Sequence, residues 1–251
     1  MREWRLLKRI ETNGAMQMAI DEAILIARMN GLVMNTLRFY TWKPACVTIG
    51  FFQSLEQEVD IKKAKELGID IVRRYTGGGA VLHDKELTYS IVLDEREVSS
   101  NIIESYKKIC KCLIKGLGSF GIKAEFAPIN DIVVNRRKIS GNAQTRKEGF
   151  VLQHGTILMD IDPQKMFSVL KIPDEKIRDK MIKSAEERVT SVKREVGREI
   201  SLEELERGLI KGFEDIFGVK FRERDLTEEE LKLAEKLCKE KYSTKEWCMW
   251  R

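Results

Sequence analysis

Short apolar runs of period two alternate along this chain with longer apolar stripes at three- and four-residue spacing, the pattern of strands interleaved with amphipathic helices. Residues 4–10 set Leu6 and Ile10 among charged neighbours and read as a first strand. Asn13-Gly14 then breaks the chain, and Met16, Ala19, Ile20, Ala23, Ile24 and Ala27 recur at helical spacing until Gly31 stops the pattern. Residues 37–40 and 46–49 read as strands joined across Trp42-Lys43-Pro44. A short helix over 61–67 ends at Gly68, and apolar runs at 69–72 and 87–93 predict two more strands. Residues 102–120 form a long helix with Tyr106, Ile109, Leu113, Leu117 and Phe120 on one face. Strands follow at 123–127 and 150–159, with a hairpin between them that pairs 132–134 with 139–140 across Asn135-Arg136-Arg137. Either Arg136 or Arg137 takes a positive φ there, or the turn is of another type. Capping boxes at Ser201-Leu202-Glu203-Glu204 and Thr227-Glu228-Glu229-Glu230 open helices reaching about Phe217 and Lys239.

Composition narrows the class of protein. A length of 251 residues with 43% apolar content has ample core for a globular chain. The net charge of +5 lies entirely in residues 1–170, because 171–251 holds 20 Lys+Arg against 20 Asp+Glu. No basic block and no interleaving of aromatic and basic residues accompanies it, so a nucleic-acid partner is not expected. A mildly basic face for an anionic substrate or an acidic partner fits the imbalance better. The five cysteines include no C-x-x-C pair, and Cys110 and Cys112 point apart on a helix, which suits reduced thiols in a cytoplasmic protein. Arg5, Lys8 and Arg9 interrupt any signal peptide, and no apolar run approaches the ~20 residues a membrane span needs.

One stretch stands apart: Arg73-Arg74-Tyr75-Thr76-Gly77-Gly78-Gly79-Ala80-Val81-Leu82-His83. Three consecutive glycines between two strand-like runs let the backbone press against a ligand, and exposed N–H groups beside arginines suit an anion. No lysine-serine pair follows and no G-x-G-x-x-G opens a helix, so the usual nucleotide loops are excluded. The stretch resembles the lipoate–protein ligase and octanoyltransferase family, marked by R-R-x-[ST]-G-G-G-x-V-x-H. A second block, Asn130-Asp131-Ile132-Val133-Val134-Asn135-Arg136-Arg137-Lys138-Ile139-Ser140-Gly141-Asn142-Ala143-Gln144, followed by Gln153-His154-Gly155-Thr156, resembles the same family in the same order. The closing Tyr242 to Trp247 segment is similar to the family's final Y-x-x-x-x-W.

The resemblance implies an α/β (α+β) biotinyl/lipoyl-transferase catalytic domain, a mixed, largely antiparallel sheet flanked by helices. Residues 1–251 would be one such domain, with 171–251 its helix-rich C-terminal portion and no separate accessory domain. The implied activity is ATP- and Mg²⁺-dependent conversion of lipoate to lipoyl-AMP. Transfer to a lysine of lipoyl-domain proteins would follow, namely the 2-oxoacid dehydrogenase E2 component and the glycine cleavage H protein, with a separate accessory subunit assisting. Lys138, in the K-[IV]-[SA]-G-[NS]-A segment, is implied as the cation at the carboxylate–phosphate junction, contacting both substrates. Arg74, Gly79, Ala80, Val81 and Leu82 are implied to hold ATP or adenylate. Arg73, Gly77, Gly78, His83 and His154 would hold lipoate. Adjacent strand residues point to opposite faces, so one of Arg73 and Arg74 is expected to enter the site. Asp131 is implied as a Mg²⁺ ligand, the alternative being a turn residue. His83 and His154, the only histidines, suit structural hydrogen bonding better than general-base work. The stretch from Leu37 to Trp42, ending near Phe51-Phe52-Gln53, is implied as acyl wall, with core packing as the alternative for Phe39, Tyr40 and Trp42.

Octanoyltransferases of this superfamily hold their acyl group on a cysteine, so ATP-independent transfer is the alternative activity, with a non-catalytic lipoate-binding protein as a third. One group carries that cysteine where this chain has Phe126-Ala127-Pro128-Ile129, and another where it has Asp162-Pro163-Gln164-Lys165. None of the five cysteines matches either place, leaving Cys46 as the one thiol near the expected acyl wall.

Overall fold

The computed structural model describes residues 2–171 and 178–251. Its first strand, β1 (Arg2–Thr12), leads to α1 (Gly14–Met29), which starts where the Asn13 side chain accepts from the Met16 N–H. The chain returns through β2 (Thr36–Trp42) and β3 (Cys46–Ile49), then crosses two short helices, α2 (Leu55–Glu58) and α3 (Ile61–Glu66). Strands β4 (Asp70–Arg73) and β5 (Val81–His83) bracket the glycine loop, and β6 (Glu86–Asp94) re-enters the main sheet. After α4 (Ile102–Gly118), strands β7 (Glu125–Ala127), β8 (Asp131–Val134), β9 (Arg137–Lys147) and β10 (Phe150–Leu158) form an antiparallel meander.

The remainder is α5 (Pro163–Val169), α6 (Arg178–Arg188), α7 (Val192–Val196), α8 (Leu202–Phe217), β11 (Val219–Arg224), α9 (Glu228–Leu237) and α10 (Lys245–Cys248). Both capping boxes form, at Ser201 and Thr227. Sequence periodicity missed β5 and β11: β5 is three residues long, and in β11 Lys220, Arg222, Glu223 and Arg224 mask an edge strand.

Eight strands form one sheet in the order β11-β1-β2-β6-β10-β9-β8-β7, parallel at β11-β1-β2 and antiparallel beyond. A smaller sheet, β4-β3-β5, stands beside it. The expected mixed, largely antiparallel α/β architecture is therefore what the chain adopts. β11 lies parallel to β1, so the helix-rich C-terminal portion also supplies an edge of the main sheet.

Strand alternation decides where the site lies. On β6, Leu87, Tyr89, Ile91 and Leu93 join Leu37 and Phe39 of β2 in a core under α4 and α8. The opposite face carries Glu86, Thr88 and Ser90, in register with Leu158, Thr156 and His154 of β10 and with Tyr40 and Arg38 of β2. α1 covers part of that polar face, joined by α9 through Leu7, Ala23, Ile24 and Ala234. Phe39 thus belongs to the core, whereas Tyr40 and Trp42 face the other way.

α4 and α8 approach closely because each supplies glycine at the contact. A Cβ on Gly212 would lie 2.1 Å from the Cys112 carbonyl oxygen and 2.9 Å from the Gly116 nitrogen. Gly212→Ala must therefore push the two helices apart, at about 1–3 kcal/mol. For a chain of this size each kcal/mol lowers Tm by about 2–4 °C. A melting curve of Gly212→Ala that overlays the parent would refute this account of the helix contact.

Candidate active site

The site begins with two arginines that part company. Arg73 is fully buried and donates to the carbonyls of Gly50, Phe51, Gln53, Trp247 and Cys248. Nη1 is shared among the three loop carbonyls while Nε and Nη2 take those of Trp247 and Cys248, so Arg73 staples the 50–53 loop to the C-terminal segment. It does not line the cavity, which corrects its expected role in holding an acyl ligand. Arg74 points the other way, as strand alternation requires. Its guanidinium donates to the carbonyls of Thr48, Gly77 and Gly79 and to the Thr48 hydroxyl. Every one of those partners is neutral. Burial accordingly pulls the Arg74 pKa down to about 10, still charged at neutral pH, and the charge stays uncompensated beside the cavity.

Arg74 therefore shapes the glycine loop before it serves any ligand. A trans peptide places C=O and N–H on opposite sides, so carbonyls of Gly77 and Gly79 aimed at Arg74 turn the N–H groups of Gly78 and Ala80 away from it. Among the described residues neither N–H has a protein acceptor. Gly78 sits at φ 94°, and a Cβ on Gly50 would come within 1.9 Å of the Gly78 oxygen. Both positions need glycine, one for its dihedral and one for its missing side chain.

A cavity of about 320 Å³ opens between this loop and the polar face of the large sheet, within the range of small-molecule sites. Met18, Tyr40, Trp42, Thr48, His83, Thr88 and His154 line its buried end. The half-buried side chains of Leu82, Lys138, Leu158, Met166, Leu170 and Val189 line the more exposed part. Of the residues picked out from sequence, Arg74, Gly78, Gly79, Ala80, Val81, Leu82, His83, Lys138 and His154 meet here. Gly77 and Arg73 are not on its walls, nor are Phe51 and Phe52. Phe51 packs on Trp247 and Trp250 instead, and Phe52 is exposed. Sequence reading missed Met18 and the wall from α5, because methionine at helical spacing looks like ordinary core.

Both histidines have their ring nitrogens engaged. His83 Nδ1 lies 2.5 Å from Glu86 Oε1, its Nε2 lies 2.8 Å from the Thr48 hydroxyl, and its ring stacks on Trp42. His154 Nδ1 lies 3.0 Å from Asp21 Oδ2 and its Nε2 lies 2.7 Å from the Thr76 hydroxyl. Asp21 is itself buried 3.2 Å from Arg38 Nε. Burial alone would raise the Asp21 pKa, but the Arg38 charge and the His154 hydrogen bond bring it below the usual carboxylate value. Burial, joined by the nearby Arg74 charge, brings the His154 pKa below the usual imidazole value although Asp21 opposes it.

Lys138 reaches the cavity through an irregularity. The β8–β9 hairpin turns on Asn135 and Arg136, both at positive φ, so of the two arginines considered from sequence it is Arg136 that takes the left-handed conformation, with Asn135 beside it. The register then slips: Ile132 pairs with Ser140 but Val133 with Lys138, leaving Ile139 as the extra residue. Lys138 and Gly141, three apart, would face opposite ways on a regular strand; the bulge puts them on one face. The Lys138 ammonium crosses Gly141, where a Cβ would lie 2.7 Å from Nζ, and meets Asp131 Oδ1 at 2.7 Å. Asn130 and Asn142 tie this face together by bonding each other's carbonyls, and Tyr89 donates to Asn142.

The Asp131 carboxylate is thus already engaged by an ammonium. Among the described residues no group of three His, Cys, Asp or Glu side chains could enclose a metal ion. The magnesium role expected of Asp131 therefore depends on phosphate oxygens for the other ligands.

Comparison with known proteins finds relatives over nearly the whole chain. Residues 13–214 match the model of the lipoyl protein ligase A/B catalytic domain. A Clostridioides difficile protein named octanoyltransferase LipM is 39% identical over 98% of both chains, and its Brevibacillus brevis namesake is 38% identical over 98% of this chain and 99% of its own. Among solved structures, a bi-partite lipoate protein ligase from Thermoplasma acidophilum superposes with a TM-score of 0.90 at 36% identity, covering 99% of this chain and 97% of that one. A lipoate-protein ligase A bound with ATP gives 0.85 at 35%, covering 99% of each.

Two measurements test the site's construction. Gly50→Ala must displace Gly78, so the amide resonances of residues 77–79 should shift while those of α4 and α8 stay in place; an unmoved loop would contradict the contact. His154 binds fewer protons folded than unfolded below about pH 6.5. Its stabilisation is complete above that pH and is lost as pH falls through the depressed folded value. The fall in Tm between about pH 7 and 5 should therefore be smaller in His154→Gln than in the parent.

Proposed function

Since this chain belongs to the lipoyl protein ligase A/B catalytic-domain family, we propose that it transfers a lipoyl group to a lysine of a lipoyl-domain protein, through a lipoyl-adenylate made from lipoate and ATP. The observation that carries the adenylate route is a cavity with a lysine on its wall and no thiol. Cys46, Cys110 and Cys112 are fully buried, and burial raises their pKa values, that of Cys110 to about 12. Cys238 and Cys248 are partly exposed, and neither lines the cavity. A thiol so protonated, or so placed, is no acyl carrier.

The chemistry needs three things from the chain. An acyl tail of six or seven methylenes gains about 0.8 kcal/mol for each one buried, and Met18, Tyr40 and Trp42 offer the apolar surface at the closed end. The phosphates find the outward N–H groups of Gly78 and Ala80 above the uncompensated charge of Arg74, the arrangement that favours an anion. A carboxylate oxygen then attacks the α-phosphorus and pyrophosphate leaves; the acceptor amine next attacks the acyl carbonyl and AMP leaves. Lys138 supplies fixed positive charge where both steps develop negative charge. Gly79, Ala80, Val81 and Leu82, all on the cavity wall, would read the adenine through backbone groups. Magnesium, if it enters with ATP, is held mainly by phosphate oxygens, with Asp131 as the nearby carboxylate. The bi-partite neighbour supports a separate accessory polypeptide, and its pairing with an E2 lipoyl domain supports that class of acceptor.

Octanoyl transfer without ATP is the second reading, and by the names of the curated relatives it is the better supported one. In this cavity it would run as direct aminolysis of a thioester, with Lys138 polarising the carbonyl, because no cysteine is in reach.

One assay separates the routes: lipoate-dependent ATP–pyrophosphate exchange, with and without a candidate accessory subunit. The adenylate route predicts exchange that falls by about 10²–10³ in Lys138→Ala. No exchange in either preparation, together with octanoyl transfer from acyl carrier protein in the absence of ATP, would replace it with the transferase route.

A further inference from the structure

Asp21 and Glu22 are consecutive on α1 and both are buried, an arrangement that burial of charge disfavours unless each is paired. Neighbouring residues on a helix point about 100° apart, so the two carboxylates leave α1 in different directions. Asp21 reaches the sheet floor and meets His154 Nδ1 at 3.0 Å. Glu22 reaches the C-terminal segment, accepting from Lys241 Nζ at 2.7 and 2.9 Å and from the Tyr242 hydroxyl at 2.6 Å.

Each partner then touches the chain just ahead of the glycines. An ionised Asp21 only accepts, so the His154 proton sits on Nδ1 and the bare Nε2 receives the Thr76 hydroxyl at 2.7 Å. The Lys241 ammonium lies 4.6 Å from the Tyr75 ring centre, within a cage completed by Trp247 at 4.1 Å and Tyr242 at 5.0 Å. Tyr75 and Thr76 are therefore gripped by two arms that share one turn of α1. Thr76 is fully buried, so its hydroxyl is an anchor and not a nucleophile.

We propose that Asp21 and Glu22 are positioning residues for the glycine loop, Asp21 holding Thr76 through His154 and Glu22 holding Tyr75 through Lys241. Glycine loses more freedom on ordering than any other residue, so three in a row make a loop that a ligand must otherwise freeze at its own expense. Fixing the two residues before Gly77 removes part of that cost in advance. The effect falls on ligand affinity, and the chemistry at Lys138 is left alone.

The test pairs Thr76→Val and Lys241→Met with the conservative Thr76→Ser and Lys241→Arg. Kinetics are measured with lipoate and ATP, or with octanoyl–acyl carrier protein, whichever turns over; this arm rests on the function proposed above. Each disruptive variant should raise KM about tenfold, through the loss of one anchoring contact, with kcat little changed. The conservative variants should restore it. A fall in Tm with KM unchanged, or a loss confined to kcat, overturns the proposal.

A second arm needs no substrate. The ¹⁵N imidazole spectrum of His154 should show the neutral, Nδ1-protonated form. The Gly77–Gly79 amides should shift in Thr76→Val and in Lys241→Met. An Nε2-protonated ring, or unmoved loop amides, overturns the proposal even if the chain proves to have another activity.

Discussion

A buried positive charge with only neutral partners is the constraint on which the site depends. The Arg74 guanidinium holds the carbonyls of Thr48, Gly77 and Gly79, and in doing so sets the direction of the peptide groups between them. Gly50 must be bare so that Gly78 can come in close, and Gly78 must be glycine to take its dihedral. An arginine expected from sequence to grip the ligand instead directs its hydrogen bonds to the glycine loop. Its charge still serves, because carbonyl dipoles orient around it without neutralising it.

The second constraint is the polar face of the main sheet. A sheet face holding Arg38, Glu86, Thr88 and His154 can be covered by α1 only if its charges find partners, and most do. The exceptions are Asp21 Oδ1, Arg38 Nε and Nη1, and Glu86 Oε2, all buried without a well-aligned hydrogen bond. Asp21 Oδ1 and Arg38 Nε nevertheless lie 3.2 Å apart, so attraction holds the pair where alignment is poor. A face of this kind costs stability and is kept beneath a cavity, while the apolar face under α4 and α8 supplies the core.

The relatives carry two activities on one fold, and the site shows how little separates them. Both need a closed apolar end, a fixed cation at the acyl carbonyl and an acceptor amine. They differ in the leaving group, adenylate or thiol. In this chain the ammonium on the cavity wall is that of Lys138, held over Gly141 by a β-bulge, and every cysteine is off that wall.

Much of this was legible in the order of residues. Period-two and period-3.6 patterns marked β1, α1, β6, α4 and β10, and the two capping boxes marked α8 and α9, because these signals are local. The motifs brought Arg74, the glycines, His83, Lys138 and His154 into one candidate site. Four things were decided only by tertiary structure. Strand alternation separated Arg73 from Arg74, but only packing showed which of them meets the cavity. The bulge at Ile139 turned Lys138 toward Asp131, a register property that depends on the partner strand. The highly charged β11 became a strand because β1 offered it a parallel edge. Asp21 and Glu22 acquired meaning from His154 and Lys241, more than 130 and 210 residues away. Sequence determines what a short segment can do by itself; pairing and burial over long separations decide which of those capacities is used, since only there do charges lose water and need a partner.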